Sequence, residues 1–209
     1  SLKLLELGAR RVVGVDVDPL IIEYAKSSIP AHLSSSKLDF LVLDSQKLER
    51  ESFDLIFSKD TFEHCKDPEL EIKNLIRILR PGGKLVVGFG PLWFSMFGDH
   101  HILKTSLGFS LPWLHLLLPE SVMIDLFNNS SMETKKKVHK FKMKSIGEYL
   151  NQKSIIDFQG ALNCPELKCL FKKVNSHENG FVNFIGQFKV PRFLKKYWVR
   201  NMYAIYEKA

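Results

Sequence analysis

Two aspartates stand at the ends of short apolar runs near the start of the chain. Asp16 follows the run at residues 12–15, and Asp44 follows the run at residues 40–43. Ligands of open α/β sheets bind outside the carboxyl ends of the strands, where a carboxylate can accept the hydroxyl groups of a ribose. Asp16 is therefore a candidate for binding a nucleoside. On these residues alone, a strand-end carboxylate that meets only water is an equally good interpretation.

Short strands and helices in alternation would position these aspartates. Runs of β-branched and aromatic residues predict buried parallel strands at residues 12–16, 40–43, 53–58 and 84–90. Helices are predicted to begin at Pro19 and at Pro68, and the second ends at the Pro-Gly-Gly turn of residues 81–83. This alternation predicts an α/β fold with a Rossmann-like, doubly wound and mostly parallel sheet.

The sequence begins inside this pattern. Its first residues resemble the end of an amphipathic helix, with Gly8 as the C-cap. A helix that leads into a parallel strand implies an earlier strand before it. We therefore expect the chain to be truncated at its N-terminus, with the first strand of the fold missing and the edges of two apolar strands left unpaired.

The pattern changes after residue 90. We interpret the chain as one domain with a core at residues 1–90, a helical insertion that caps the substrate at residues 91–164, and a C-terminal part at residues 165–209. Within this last part, the sequence predicts a helix at residues 165–173 and strands at residues 181–188 and 201–207.

Composition excludes several classes of protein. The 209 residues carry a net charge of +7, which favours anionic partners only weakly because the basic residues are spread along the chain. No nucleic-acid-binding motif is present, and no apolar run reaches the roughly 18 residues of a membrane span. The three cysteines form no paired framework, which predicts a reducing compartment, the cytoplasm.

Five motifs occur in a specific order. They are Val13-Gly14-Val15-Asp16 with Asp18-Pro19, Leu43-Asp44, Ser52-Phe53-Asp54-Leu55-Ile56-Phe57-Ser58, Phe62-Glu63-His64, and Leu79-Arg80-Pro81-Gly82-Gly83-Lys84-Leu85. Together they resemble the class I S-adenosylmethionine-dependent methyltransferases, in the methyltransferase type 11 branch that acts on small molecules and includes quinone-biosynthesis enzymes. The resemblance covers residues 1–90 well and a closing strand at residues 202–207 loosely. The glycine-rich loop of that family is absent from the sequence.

The resemblance implies S-adenosylmethionine as the cofactor and assigns residues to it. Asp16 would accept the ribose hydroxyls, and Val17 would pack on one face of the adenine. Asp44 would accept the adenine amino group, with Ser45 beside it through its backbone. For Asp44 the alternative role is a helix or turn cap.

The resemblance identifies no catalytic residue. Ser58 and Lys59 would lie near the transferring methyl group. His64 has two interpretations, a base that faces the substrate or a structural partner at the start of the following helix, and we favour the structural one. His100 and His101 are further candidates. Without a cysteine or carboxylate at ligand spacing, these adjacent histidines predict no metal site.

Aromatic residues of the insertion predict an apolar substrate pocket, or simply the core of the insertion. They are Trp93, Phe94, Phe97 and Trp113, with the leucines at 116–118. Around Pro112 and Trp113 the same apolar cap is suited to peripheral contact with a membrane.

Methyl transfer to a small-molecule acceptor, apolar or anionic, is the function these motifs predict. A nicotinamide-dependent oxidoreductase on a similar fold is one alternative, against which the Pro81-Gly82-Gly83 turn and the second strand-end acid argue. A non-catalytic fragment or interaction module is the other. Neither the acceptor nor the oligomeric state is encoded in a motif that we can interpret.

Overall fold

The computed structural model describes residues 1–30, 37–129, 142–175 and 188–209. These residues form two compact units, one within residues 1–49 and the other from residue 50 onward. No helix in the described ranges is both long enough and apolar enough to cross a bilayer.

The first unit is a parallel pair of strands with helices. Its elements are α1 (Leu2–Glu6), β1 (Val12–Asp16), α2 (Pro19–Ser27), β2 (Leu38–Val42) and a 3-10 helix (Ser45–Lys47). Asp18 caps α2, because its Oδ1 accepts a hydrogen bond from the backbone N–H of Leu20 at 2.9 Å. Gly8 follows α1 with a φ of 96°, which confirms the helix end predicted there.

A four-stranded sheet forms the centre of the second unit. Its elements are β3 (Phe53–Lys59), α3 (Pro68–Ile78), β4 (Leu79–Phe89), α4 (Ile102–Leu107), α5 (Leu114–Leu117), α6 (Glu120–Asn129), α7 (Ile155–Leu162), β5 (Leu167–Val174), α8 (Lys195–Trp198) and β6 (Met202–Lys208). The strand order is β3-β4-β6-β5. β3 and β4 are parallel, and β6 is antiparallel to both of its neighbours.

Strand β4 begins earlier than the sequence predicts. We expected it to start at Lys84, but it starts at Leu79 and includes the predicted turn. Its pairing with β3 jumps from Phe53–Leu79 to Leu55–Lys84, so the extra residues form a bulge. Gly82 makes this bulge feasible with a φ of 73°.

The helix predicted at residues 165–173 is wrong. This segment is the edge strand β5, which pairs antiparallel with β6 from Leu167 to Val174. Pairing with β6 satisfies the backbone there and outweighs the local preference. The preceding segment is helical instead, as α7, which begins with a capping box between Ser154 and Asp157. β6 confirms the closing strand, whereas residues 181–187 of the other predicted strand lie outside the described residues.

Two apolar clusters form the interior of the second unit. Phe62, Phe89 and Phe158 pack ring to ring and join the loop after β3, the end of β4 and α7. The segment that follows β4 has its own core, made of Trp93, Ile102, Leu103, Met123, Met143, Ile146 and Leu150. The segment predicted as a helical insertion therefore contains α4, α5 and α6 around a separate apolar cluster.

Candidate functional site

The two strand-end aspartates lie at the same edge of the β1–β2 pair. These strands run parallel in a register that ends with Asp16 opposite Val42. The backbone N–H of Leu43 donates to the carbonyl of Asp16 at 3.0 Å, so the last residues of the two strands are neighbours. Asp16 and Asp44 are each half-buried. The parallel pairing thus brings the carboxyl ends of both strands together, as we expected from the sequence.

Each of these carboxylates uses one oxygen to shape its own turn. Oδ1 of Asp16 accepts from the N–H of Asp18 at 2.9 Å. Oδ1 of Asp44 accepts from the N–H of Gln46 at 2.9 Å and caps the 3-10 helix. Asp44 therefore has the capping role that the sequence offered as its alternative function. In both residues Oδ2 accepts no hydrogen bond from the described parts of the chain, so it is available to a ligand.

Val17 and Ser45, which follow these aspartates, differ in exposure. Val17 is 70% exposed. Ser45 is buried. An apolar side chain is thus open to solvent beside Asp16, whereas little of Ser45 is accessible.

Ser58 and Lys59 lie in the second unit, at the carboxyl end of β3. The ammonium of Lys59 forms an ion pair with Asp60 at 2.5 Å. The hydrogen bond to Asp60 raises the pKa of Lys59. Lys59 is therefore a cation with its counter-ion beside it, and it cannot act as a neutral base near neutral pH.

Glu63 connects the loop after β3 to the end of β4. Its side chain is 3% exposed, and Oε1 accepts from the N–H of Gly90 at 3.1 Å. Oε2 is buried with no partner in the described residues. Burial raises the pKa of this carboxyl. Gly90 has a φ of 126°, and a Cβ there would lie 2.5 Å from the carbonyl oxygen of Arg200, so only glycine fits.

His64 and His100 form a pair of rings next to Glu63. Their centroids are 5.2 Å apart in an edge-to-face arrangement. Nδ1 of His64 lies 2.6 Å from the carbonyl oxygen of Tyr149, and Nε2 of His100 lies 2.7 Å from that of Pro91. A carbonyl only accepts, so these nitrogens carry the protons. Burial lowers the pKa of His100 to about 4, which keeps that ring neutral.

His101 does not join this pair. It is exposed, has a φ of 69°, and precedes α4 without a side-chain capping bond. The structure therefore brings together two of the three histidines considered from the sequence. Whether any of them is catalytic stays a prediction.

Two residues of the insertion, Tyr149 and Asn151, hold the loop that follows β3. Neither was predicted from the sequence. The carbonyl of Tyr149 accepts a hydrogen bond from His64, as described above. The side-chain amide of Asn151 donates to the carbonyls of Phe62 at 2.6 Å and Cys65 at 2.9 Å. The N–H of Asn151 also donates to the carbonyl of Glu63 at 2.9 Å. No local pattern signals these contacts, because the partners are more than 80 residues apart in the chain.

An apolar cavity of about 680 Å³ lies between the insertion and α8. It is lined by Trp93, Phe94, Trp113, His115, Leu116, Leu117, Leu118, Glu120, Met123, Ile146, Gln152 and Tyr197. Most of the predicted aromatic and leucine residues are in this lining, whereas Phe97 is not. The volume is in the range that small-molecule sites occupy. Among the described residues, no cluster of three or more His, Cys, Asp or Glu side chains could hold a metal ion.

Residues 1–87 match a methyltransferase type 11 family, described as "Methyltransferase domain". This match covers the part of the chain whose motifs resemble the class I S-adenosylmethionine-dependent methyltransferases. Two solved structures share the fold over most of this chain. One is an S-adenosylmethionine-dependent methyltransferase from Mesorhizobium loti, with 14% identity, a TM-score of 0.58, and coverage of 99% of this chain and 84% of that one. The other is a SAM-dependent methyltransferase from Methanosarcina mazei, with 18% identity, a TM-score of 0.53, and coverage of 98% and 86%.

Curated relatives match a shorter segment. The chloroplastic tocopherol O-methyltransferase of Arabidopsis thaliana is 30% identical over 77 residues, which are 36% of this chain and 22% of that protein. A ubiquinone biosynthesis O-methyltransferase of Coxiella burnetii is 32% identical over 79 residues, 35% of this chain and 32% of that protein. The chain thus spans less than a third of the length of these relatives.

Proposed function

We propose that the protein transfers a methyl group from S-adenosylmethionine to a small-molecule acceptor. The observation that supports this most directly is the shared position of Asp16 and Asp44 at the carboxyl ends of two parallel strands, each with one unused carboxylate oxygen. The methyltransferase-domain match over residues 1–87 supports the same reaction. The relatives named above methylate oxygen, and we propose the same small-molecule class of acceptor here.

The first unit carries groups that fit the adenosine part of this cofactor. Asp16 would accept the ribose hydroxyls through the oxygen that its own turn leaves unused, and Asp44 would accept the adenine amino group in the same way. Val17, with its open apolar side chain, would pack on one face of the adenine. Ser45 would contribute its backbone only. For the methyl end of the cofactor, Ser58 and Lys59 remain our prediction from the resemblance.

Little acid–base chemistry is required of the protein. The bound cofactor supplies its methyl group on a sulfonium, which leaves as a neutral thioether and needs no acid. Orientation of the acceptor then supplies most of the rate. A hydroxyl acceptor also requires a base. Although the sequence favours the structural role of His64, we propose that its ring serves as this base as well. Its Nδ1 proton is directed to the Tyr149 carbonyl, which leaves the Nε2 lone pair available to an acceptor hydroxyl.

The protein is also suited to contact a membrane. Leu117 is 80% exposed although it lines the cavity, and Phe193 is 71% exposed. The indole N–H of Trp113 donates to the carbonyl of Tyr197 at 3.1 Å, so α5 and α8 are neighbours.

Two lysines of α8, which follow Phe193 closely in the chain, carry positive charge. Lys195 is exposed, and Lys196 lies over the Tyr197 ring at 4.7 Å. We call Leu117, Phe193, Lys195 and Lys196 the apolar–basic surface. Because anionic lipids face the cytoplasm, this surface fits the cytoplasmic localisation predicted from the sequence.

Calorimetric titration of the full-length protein tests the proposed reaction. We expect S-adenosylhomocysteine to bind and NAD to give no binding heat. Binding of NAD instead would support the oxidoreductase alternative. Absence of binding to both would contradict an adenosine site at Asp16 and Asp44.

A further inference from the structure

Arg200 lies at the edge of the four-stranded sheet where β3 and β4 end. Because β6 is antiparallel to β4, its first residue, Met202, pairs with Phe89 at the end of β4. The carbonyl of Arg200 accepts from the N–H of Leu92 at 2.8 Å. Arg200 therefore precedes β6 at the carboxyl end of β4, and ligands of open α/β sheets bind at this edge.

The side chain of Arg200 has no partner in the described part of the chain. It is half-buried, yet its guanidinium forms no hydrogen bond or ion pair there, and the N–H that donates to Oδ1 of Asn175 at 2.7 Å belongs to its backbone. Arg50 and Arg80 of the same unit each form an ion pair with a carboxylate instead. No side-chain nitrogen of Arg200 is among the buried atoms that lack a partner. The guanidinium nitrogens are therefore accessible to a ligand.

The charge of Arg200 is only partly compensated. Burial lowers the pKa of Arg200, and the nearby carboxylate of Asp99 opposes this effect without cancelling it. Asp99 forms no ion pair with Arg200, and its Oδ2 accepts from the N–H of Leu103 at 2.9 Å. The guanidinium stays protonated at neutral pH. A half-buried cation without a close counter-ion is unfavourable, so a bound anion would be stabilised here.

The hydroxyl of Tyr203 lies near this cation. Tyr203 pairs with Gly88 of β4, and a Cβ on Gly88 would lie 2.8 Å from two carbon atoms of the Tyr203 ring. The ring therefore occupies the space that this glycine leaves open. The hydroxyl is close enough to Arg200 and to Lys59 to influence the pKa of both. It forms no hydrogen bond with the described residues, so it is a second donor available beside Arg200.

One guanidinium and one hydroxyl suit a carboxylate. The planar fork of arginine donates two parallel hydrogen bonds to the two oxygens of a carboxylate. A doubly charged phosphate would require a further cation, and the ammonium of Lys59 already has Asp60 as its counter-ion.

We propose that Arg200 and the hydroxyl of Tyr203 bind a carboxylate group of the methyl acceptor. This inference rests on the proposed function where it calls the ligand the acceptor, whereas the carboxylate site itself does not depend on that function. The acceptor is then a small molecule with a carboxylate, and Arg200 determines specificity for it.

Matched probes test this recognition without cofactor or turnover. We choose 2-naphthoate and 2-naphthamide, which share a ring system and differ in charge, and measure binding of each to the full-length protein by equilibrium dialysis with absorbance detection. Charge-assisted hydrogen bonds predict that 2-naphthoate binds about tenfold more tightly than the amide. Equal affinities would overturn the carboxylate site, and so would absence of binding by both probes.

Variants of Arg200 locate the preference. Arg200→Gln should lower the affinity for 2-naphthoate about tenfold, to that of 2-naphthamide. Arg200→Lys keeps the charge without the fork and should retain part of the preference. Arg50→Gln is the matched control, because it removes the same charge from an exposed arginine that has its own counter-ion, and it should leave the preference unchanged. An unchanged preference in Arg200→Gln, or an equal loss in Arg50→Gln, would contradict the proposal.

Two further comparisons keep the proposal testable if Arg200→Gln does not fold. The two probes on the unmodified protein and Arg200→Lys still decide whether the site prefers a carboxylate. Tyr203→Phe keeps the ring over Gly88 and removes only the hydroxyl, so the affinity for 2-naphthoate should fall about threefold. An unchanged affinity in Tyr203→Phe would contradict the role of the hydroxyl.

Titration with S-adenosylhomocysteine separates the acceptor from the cofactor, which has a carboxylate of its own. Arg200→Gln should leave the affinity for S-adenosylhomocysteine unchanged, and a tenfold loss would assign the carboxylate to the cofactor and overturn the proposal. An unmodified protein that binds S-adenosylhomocysteine without preferring 2-naphthoate would contradict only the site at Arg200. One that prefers 2-naphthoate but does not bind S-adenosylhomocysteine would contradict the proposed function and support the carboxylate site.

Discussion

Nδ1 of His64 lies 2.6 Å from the carbonyl oxygen of Tyr149, a residue 85 positions further along the chain. This contact fixes the orientation of a ring that follows a strand of the central sheet. It also fixes the tautomer, because a carbonyl accepts but never donates. The neighbouring ring of His100 uses the opposite nitrogen, because its Nε2 donates to the carbonyl of Pro91. The two histidines should therefore carry opposite tautomers.

Nitrogen NMR can detect this difference. In long-range proton–nitrogen spectra, we expect His64 with a protonated Nδ1 and His100 with a protonated Nε2. Assignment follows from His64→Gln and His100→Gln, each of which removes one set of signals. Nε2 protonation at His64 would contradict the proposed base, since its acceptor lone pair would then face the Tyr149 carbonyl.

The buried position of His100 predicts an effect of pH on stability. Its pKa falls from 6.5 to about 4 on folding, so between these values only the unfolded chain binds the additional proton. Stability contributed by this group is present at neutral pH and is lost as the pH falls. Between about pH 7.5 and about pH 5, this loss amounts to roughly 2 kcal/mol.

Denaturant unfolding at these two pH values measures that loss. His100→Gln should show a smaller fall in unfolding free energy than the unmodified protein, because glutamine does not titrate. An identical fall in both proteins would show that His100 is not the group responsible.

Glu63 should stabilise the protein through its hydrogen bond rather than its charge. Glu63→Gln keeps an acceptor for the N–H of Gly90 and removes a carboxylate whose pKa is raised by burial. Glu63→Ala removes the acceptor and leaves that N–H unpaired, at a cost of about 1–3 kcal/mol. At neutral pH, the thermal unfolding temperature of Glu63→Gln should therefore be well above that of Glu63→Ala. Equal destabilisation by both variants would indicate that the charge itself is required.

The apolar–basic surface predicts binding to anionic vesicles. In a flotation assay, the protein should rise with vesicles that contain phosphatidylserine and less with purely zwitterionic ones. Leu117→Ser with Phe193→Ser should reduce this binding. Leu170→Ser is the matched control, since Leu170 is an exposed leucine on the edge strand β5, outside that surface. If the unmodified protein does not float with the vesicles, or if Leu170→Ser loses as much vesicle binding as the double variant, the proposed membrane contact is wrong.

The sequence was most informative where structure is local. Asp18 caps α2 because its side chain reaches the N–H of Leu20 two residues away, and such short-range chemistry is visible in the order of residues. The strand that ends at Asp16 and the strand that begins at Leu38 were predictable from apolar runs bounded by polar residues. Their predicted burial was wrong, because Val15, Leu41 and Val42 are exposed.

Prediction failed where the structure of a segment depends on contacts with residues far away in the chain. Residues 167–174 form a strand because β6 offers its edge to them, although their local pattern was interpreted as a helix. Strand β4 starts at Leu79 because Phe53 pairs with it across a bulge. Tyr149 and Asn151 were overlooked because nothing near them in the sequence indicates that they hold the loop around His64.

The central claim is that Asp16 and Asp44 bind adenosine, and one charge-removing substitution tests it most directly. Asp16→Asn should weaken binding of S-adenosylhomocysteine to the full-length protein by roughly 1–3 kcal/mol in calorimetry, because neutral amide contacts replace charge-assisted ones. Glu23→Gln removes the same charge from an exposed position on α2 and should leave binding unchanged. An affinity in Asp16→Asn equal to that of the unmodified protein would contradict the account.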